Sequence, residues 1–226
     1  MAEAEGRLVP LPDRRTAGER LAERLLRYRD QDPVVVALPR GGVPVGFEIA
    51  TRLGAPLDIL IVRKIGAPAN PEYGLGAVVE GGTRFLDEPR VRAAGHTVRD
   101  LGSTIAREVE EVERRAQEFR AGHPPVPLEG RTAILVDDGV ATGGTVLAAL
   151  GALRARHPRQ IVLALGVAPP DAVDLLEPEV DDLVVLLVPV TFFAVGEWYR
   201  RFSQVSDEEV HRLLERSRRP TPGPAR

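Results

Sequence analysis

The residues best equipped for chemistry lie in one run, Ala133-Ile134-Leu135-Val136-Asp137-Asp138-Gly139-Val140-Ala141-Thr142-Gly143-Gly144-Thr145. An apolar stretch delivers two adjacent carboxylates, Asp137 and Asp138, and a loop of small residues then opens into the apolar positions 146–150. Gly143 and Gly144 let backbone amides converge on an anion, Thr142 and Thr145 add hydroxyl donors, and a following helix brings the partial positive charge of its N-terminus. The run is a phosphate cradle without the lysine of a GxxxxGK[ST] loop. Two carboxylates just before it suit a sugar phosphate, because they accept hydrogen bonds from hydroxyls while amides hold the phosphate oxygens. A pair of acids and two glycines alone would describe an ordinary turn with an Asp cap. The whole run asks for more.

Two further segments carry similar chemistry. Pro39-Arg40-Gly41-Gly42 supplies a guanidinium for bidentate phosphate contact and two glycines that let the backbone approach a ligand. Alone it also fits a plain turn with a solvated arginine. Arg63-Lys64 follows an apolar run and fits either a phosphate contact or basic side chains snorkelling off a strand end. Lys64 stands out by composition, being the one lysine among 30 basic residues. The stretch 66–74, rich in Gly and Pro, reads as a lid able to close over a reacting centre.

Elements must position these residues. The spacing of Leu21, Leu25 and Tyr28 predicts an amphipathic helix, opened by a capping box at Thr16 and Glu19. Strands are expected at 34–38, 57–62, 132–136, 161–167 and 183–188, and helices at 44–53, 144–156 and 171–176. A hairpin is expected between 75–79 and 84–87 across Gly81-Gly82. Between 88 and 130 the texture turns charged and helical, with Ile105, Val109 and Val112 on one face, as in an inserted helical element. Its stripe could form a dimer interface, cover the sheet or join a hood. Buried strands alternating with helices make this an α/β chain with a parallel sheet flanked by helices, whose ligands sit at the carboxyl ends of the strands. The tail 217–226 has three prolines and no apolar anchor, which predicts disorder.

The run ending in Val136-Asp137-Asp138-Gly139-Val140-Ala141-Thr142-Gly143-Gly144-Thr145 resembles the signature of the type I phosphoribosyltransferases, which bind 5-phosphoribosyl-1-pyrophosphate (PRPP). The resemblance covers roughly residues 10–215 as one domain, with a small hood at 189–215. It implies that Asp137 and Asp138 face the ribose hydroxyls and that Ala141, Thr142, Gly143, Gly144 and Thr145 bind the 5-phosphate. Pro39, Arg40, Gly41 and Gly42 stand where the family grips pyrophosphate, often with a cis peptide. Lys64 stands where a basic pair begins a mobile catalytic loop. The implied catalytic set is Lys64, Arg40, Asp137 and Asp138. The implied cofactor is Mg²⁺, held mainly through PRPP with Asp137 or Asp138 as the protein contact. The reaction implied is transfer of 5-phosphoribose to a nitrogen base with release of pyrophosphate, in nucleotide metabolism and salvage.

For the acceptor, Phe192, Phe193 and Val195 precede Gly196 in a segment similar to the base-stacking segment of the 6-oxopurine enzymes. Those enzymes read the exocyclic oxygen with a lysine, which this chain lacks beyond Lys64, and carry an aspartate near N7 where Ala141 stands. A purine-like or pyrimidine-like base therefore stays open, as does an apolar core role for Phe192 and Phe193. Two other functions also stay open: a regulatory protein of the same fold that senses PRPP or a nucleotide without turnover, and a different α/β phosphate-binding enzyme such as a hydrolase.

Composition removes several classes. With 226 residues, net charge -3 and no cysteine, the chain has no disulfides, thiolate metal sites or thiol nucleophile. Four scattered histidines form no ligand pair. The longest apolar stretch falls far short of a membrane span, and mild acidity without a basic run argues against nucleic acid. A cytoplasmic homodimer is the expectation.

Overall fold

The computed structural model describes residues 8–68 and 70–219, except for the side chains of residues 70–72. Five parallel strands form the main sheet in the order β2-β1-β6-β7-β8: β1 (Pro33–Ala37), β2 (Leu57–Ile59), β6 (Thr132–Asp137), β7 (Gln160–Val167) and β8 (Asp182–Leu187). Every residue of β1 is buried, as a strand covered on both faces requires. Helices α1 (Arg14–Leu25), α2 (Gly42–Leu53), α5 (Gly144–Arg154) and α6 (Pro170–Leu176) flank the sheet. Two apolar cores result, one on each face.

From β1 the chain winds outward to β2, then returns to place β6 on the other side of β1. The winding direction thus reverses between β1 and β6, and such a switch point opens a crevice at the carboxyl ends of the two strands. The register Ala37↔Val136 ends the two strands within one residue of each other. The segment from Pro39 to Gly42 and the loop opened by Asp137-Asp138 are therefore neighbours by topology.

A second, antiparallel sheet, β3-β4-β5, consists of β3 (Val62–Ala67), β4 (Asn70–Val79) and β5 (Arg84–Leu86). The hairpin expected across Gly81-Gly82 is present, pairing Ala77 with Phe85. Two expectations change. The single strand expected over 57–62 is two: the chain leaves the main sheet after Ile59 and enters the second sheet at Val62. Leu60 and Ile61 between them are buried, so no polar residue marks the break. The loop expected over 66–74 is largely strand, with Gly66 opposite Gly74 and Ala67 opposite Asn70. Ala69, within that stretch, lies outside the described residues.

The charged region contains α3 (Glu88–Ala93) and α4 (Gly102–Arg120). Ile105, Val112, Ala116 and Phe119 of α4 are buried, and the helix lies against β3, β4 and α7 (Asp207–Arg218). Its stripe thus covers the second sheet. At its end Arg120 is locked in an ionic knot. Its Nε is 3.0 Å from Asp58 Oδ1, its NH2 donates to the Ile59 carbonyl at 2.7 Å, and its NH1 meets Glu80. Burial opposes the guanidinium's charge, and the two carboxylates more than offset that. The knot ties β2, the end of β4 and α4 together.

The first helix begins earlier than the capping box at Thr16 implied. Asp13 is the cap, its carboxylate accepting from the Thr16 amide and the Thr16 hydroxyl, each at 2.8 Å. A carboxylate is a stronger acceptor for a free helical amide than a hydroxyl. Just before it, Leu11 and Tyr199 form a parallel bridge, with the Leu11 amide donating to Trp198 O and the Arg200 amide to Leu11 O, both at 2.8 Å. The segment before α1 is thus stitched to the segment after β8. Helix α7 runs through Ser217 and Arg218, and residues 220–226 of the expected tail lie outside the described residues.

Candidate functional site

The loops after β1 and β6 pack without a gap. A Cβ placed on Gly41 would lie 2.1 Å from Asp138 Oδ2, and one on Gly42 would lie 2.6 Å from Val136 O. Both glycines are thus demanded by backbone packed against the acidic pair. The peptide bond between Pro39 and Arg40 is cis. Arg40 itself is loosely held, its NH1 3.5 Å from Asp207 Oδ1 at the start of α7. Its guanidinium retains donors for a ligand.

Asp137 ends β6, and its Oδ1 accepts the amide of Asp138 at 2.8 Å. Burial, and then the charge of Asp138, push the Asp137 carboxyl well above the usual carboxylate range, against the pull of that amide and of Arg14. Asp138 is engaged by Arg14, whose Nε lies 2.7 Å from Oδ2, and both side chains are nearly covered. The Arg14 guanidinium also donates to Ser203 O at 2.7 Å and lies over the Phe202 ring, 3.8 Å from its centroid. The Tyr199 hydroxyl donates to the Asp138 carbonyl at 2.5 Å. Burial, and the charges of Asp138 and Asp137, push that phenol upward, so it stays a donor. A Cβ on Gly166 would lie 2.0 Å from the same hydroxyl, so Gly166 makes room for it. Sequence reasoning missed Arg14, Gly166, Tyr199, Phe202 and Ser203, and only the hood expected over 189–215 touched this corner.

Beyond the acids, Ala141 and Thr142 are exposed and Gly143 caps α5 with φ +75°. No side chain caps this helix, which leaves its first amides available to an anion. Thr142, Gly144 and Thr145 line a cavity of about 220 Å³ together with Lys64, Gly74, Gly76, Phe85, Asp87 and Arg90. Lys64, which the sequence placed at a strand end, is the third residue of β3 and exposed. Its neighbours explain its direction. Ile65 is fully buried, and Arg63 turns toward α4, where its Nε meets Glu108 Oε2 at 2.5 Å. Alternation along the strand then sends Lys64 to the opposite face, toward the loop.

The segment after β8 divides. Phe192 packs against the core, and Phe193 is 80% exposed. Val195 comes to the signature loop, where a Cβ on Gly139 would lie 2.8 Å from its Cγ1. The structure therefore gathers Pro39 to Gly42, Asp137, Asp138 and Val195 at the switch point, and sets Lys64 with Thr142, Gly144 and Thr145 in the adjoining cavity.

Among the described residues, no three carboxylate or imidazole side chains converge as a metal cage. Asp137 and Asp138 are the carboxylates of this site that could touch a metal ion. Among the described residues, too, no helix is long and apolar enough to cross a membrane.

Comparison with known proteins agrees with this geometry. The chain is 44% identical over 207 residues to a Mycobacterium tuberculosis protein named as a candidate phosphoribosyl transferase, an alignment covering 92% of this chain and 47% of that one. The chain thus spans about half the length of the curated relatives it matches. The crystal structure of TT1426 from Thermus thermophilus superposes with a TM-score of 0.78 at 43% identity, covering 91% of this chain and 98% of that one. The phosphoribosyl transferase domain family matches residues 7–194, most of the chain, and the protein belongs to that family, in its type I group.

Proposed function

We propose that the protein transfers the 5-phosphoribosyl group of PRPP to a ring nitrogen of a small base and releases pyrophosphate. The observation that carries this reading is the contact of Gly41 with Asp138, which puts a pyrophosphate-type loop directly against a ribose-type acidic pair. The bond from the base nitrogen to C1 forms as the bond from C1 to the pyrophosphate oxygen breaks. Positive charge then develops on the ribose, as in glycoside chemistry.

The chain's own residues divide the work by position. The free amides of α5, with Thr142 and Thr145, hold the 5-phosphate. Asp137, and the Asp138 oxygen not engaged by Arg14, accept from the ribose hydroxyls. Arg40 and the Gly41 amide meet the leaving pyrophosphate, and preorganised donors of this kind lower the barrier where charge develops. Magnesium bound with PRPP would supply neutralisation of charge on the leaving oxygens, and Asp137 or Asp138 would be its protein contact. Lys64 closes the phosphate side from β3 and restricts water. The base is expected against Val195 and Phe193.

Incubation of the protein with labelled PRPP, Mg²⁺ and a panel of purine and pyrimidine bases, scored for pyrophosphate release, tests this reading. Release that requires one base is expected. Release with water alone would make the protein a hydrolase, and tight binding without turnover would make it a sensor.

A further inference from the structure

The cavity in front of the signature loop contains more cationic chemistry than that loop and Lys64 supply. Its outer wall is Phe85 of β5, Asp87, and Arg90 of α3, all from the segment that runs from β5 into α3 and outside the signature. Among the described residues, Arg90 is held in place by its backbone but not by its head group. Its amide donates to Asp87 Oδ1 at 3.0 Å, as the cap of α3 requires. Its guanidinium reaches Asp87 Oδ2 only at 3.8 Å and the Gly74 carbonyl only at 3.5 Å. It stands 5.8 Å from the Tyr73 ring and is 54% exposed. Arg92, on the same short helix, is by contrast paired with Glu88 at 3.2 Å.

The wall between Arg90 and the loop is bare. Gly74 and Gly76 of β4 line it, and Gly76 could carry no side chain, since a Cβ there would lie 2.3 Å from Phe85 O. A space of about 220 Å³ is therefore bounded by two cations, two hydroxyls and the uncapped end of a helix, with one carboxylate. Such a site favours a phosphate monoester, and a guanidinium with spare donors can bind two of its oxygens at once.

We infer that Arg90 is a phosphate-binding residue, contacting from α3 the same 5-phosphate that the Thr142–Thr145 loop holds from α5. The inference rests on the reading of that loop as a sugar-phosphate site. It assigns a role to the segment from β5 into α3, which walls the phosphate pocket and contributes one of its ligands.

Calorimetric titration of the full chain with ribose 5-phosphate, PRPP and pyrophosphate tests this assignment. Arg90→Met is expected to weaken ribose 5-phosphate and PRPP by about 10- to 100-fold, the worth of a charge-assisted contact, and to leave pyrophosphate unchanged. Arg90→Lys should recover part of the loss, and Arg92→Met should bind as the wild type does. Equal affinity of Arg90→Met and wild type for ribose 5-phosphate would overturn the inference, and so would a parallel loss for pyrophosphate, which would mark a general disturbance. Absence of ribose 5-phosphate binding by the wild type would overturn both the inference and the loop's reading. Arg90-dependent binding without transfer from PRPP would overturn only the proposed reaction.

Discussion

Arg14 Nε lies 2.7 Å from Asp138 Oδ2, joining the first residue of α1 to the second acid of the signature across 124 positions of sequence. The pair is nearly covered, and the same guanidinium holds Ser203 and Phe202. Removing one partner leaves the other as an uncompensated charge. Arg14→Met is expected to cost about 3 kcal/mol of stability, the lower range for a broken buried pair, and to weaken PRPP binding. Arg14→Met with Asp138→Asn should regain most of the stability and none of the binding. Denaturant titration and PRPP titration of both variants measure this, and stability unchanged in Arg14→Met would show that solvent already screens the pair.

Asp137 opposes folding at neutral pH. Burial and Asp138 raise its folded-state value, so the folded chain binds its proton more readily than the unfolded chain does. Its contribution to folding is complete below the ordinary carboxylate range and is lost as pH rises through the raised value. Asp137→Asn keeps the acceptor for the Asp138 amide and removes that burden. Without ligand or metal, its Tm at pH 7.5 should exceed the wild type's by about 2–4 °C, of order 1 kcal/mol for a domain of this size. The gain should shrink toward zero near pH 4, while PRPP binding is lost at both pH values. A gain of equal size at both would sink this account.

Lys64 is the compact ammonium of the cavity that Thr142 and Thr145 line. Lys64→Arg places a planar fork where a rotatable point charge stood. Transfer at saturating PRPP should fall by about tenfold, or ~1.4 kcal/mol of barrier, and further in Lys64→Ala. Full turnover in Lys64→Arg would reduce the single lysine to a compositional accident.

Arg120 holds Asp58 and Glu80 in the interior, with side-chain exposures of 5%, 5% and 9%. Arg120→Met leaves two buried carboxylates without a cation and should cost about 3–5 kcal/mol. Glu80→Gln should cost less, because Glu80 Oε2 has no hydrogen-bond partner and Asp58 keeps Arg120 paired. Chemical denaturation of both variants ranks them, and the reverse order would show that Glu80, not Asp58, anchors the guanidinium.

The α/β class and both βα loops were legible because their signals are local. An apolar run ending in Asp137-Asp138 and followed by Thr142 to Thr145 is a strand, a cradle and a helix start in any setting. The break after Ile59 was illegible because the residues around it are apolar and buried on both sides of the change of sheet. The ribbon structure of 66–74 was hidden for the opposite reason. Its Gly and Pro content reads as loop, and only cross-strand pairing such as Gly66 with Gly74 makes it strand.

By itself the sequence singled out the amides of 142–145 and the carboxylates of Asp137 and Asp138 as groups suited to a phosphorylated ribose, since both depend on residue types a few positions apart. Tertiary structure alone decided that Arg14, among many arginines, neutralises Asp138, and that Lys64 and Arg90 look into one cavity with Thr145. A guanidinium carries no local mark of its partner. Ion pairs and cavity walls arise from convergence of segments distant in the chain, and that convergence is set by burial and sheet winding rather than by any short run of residues.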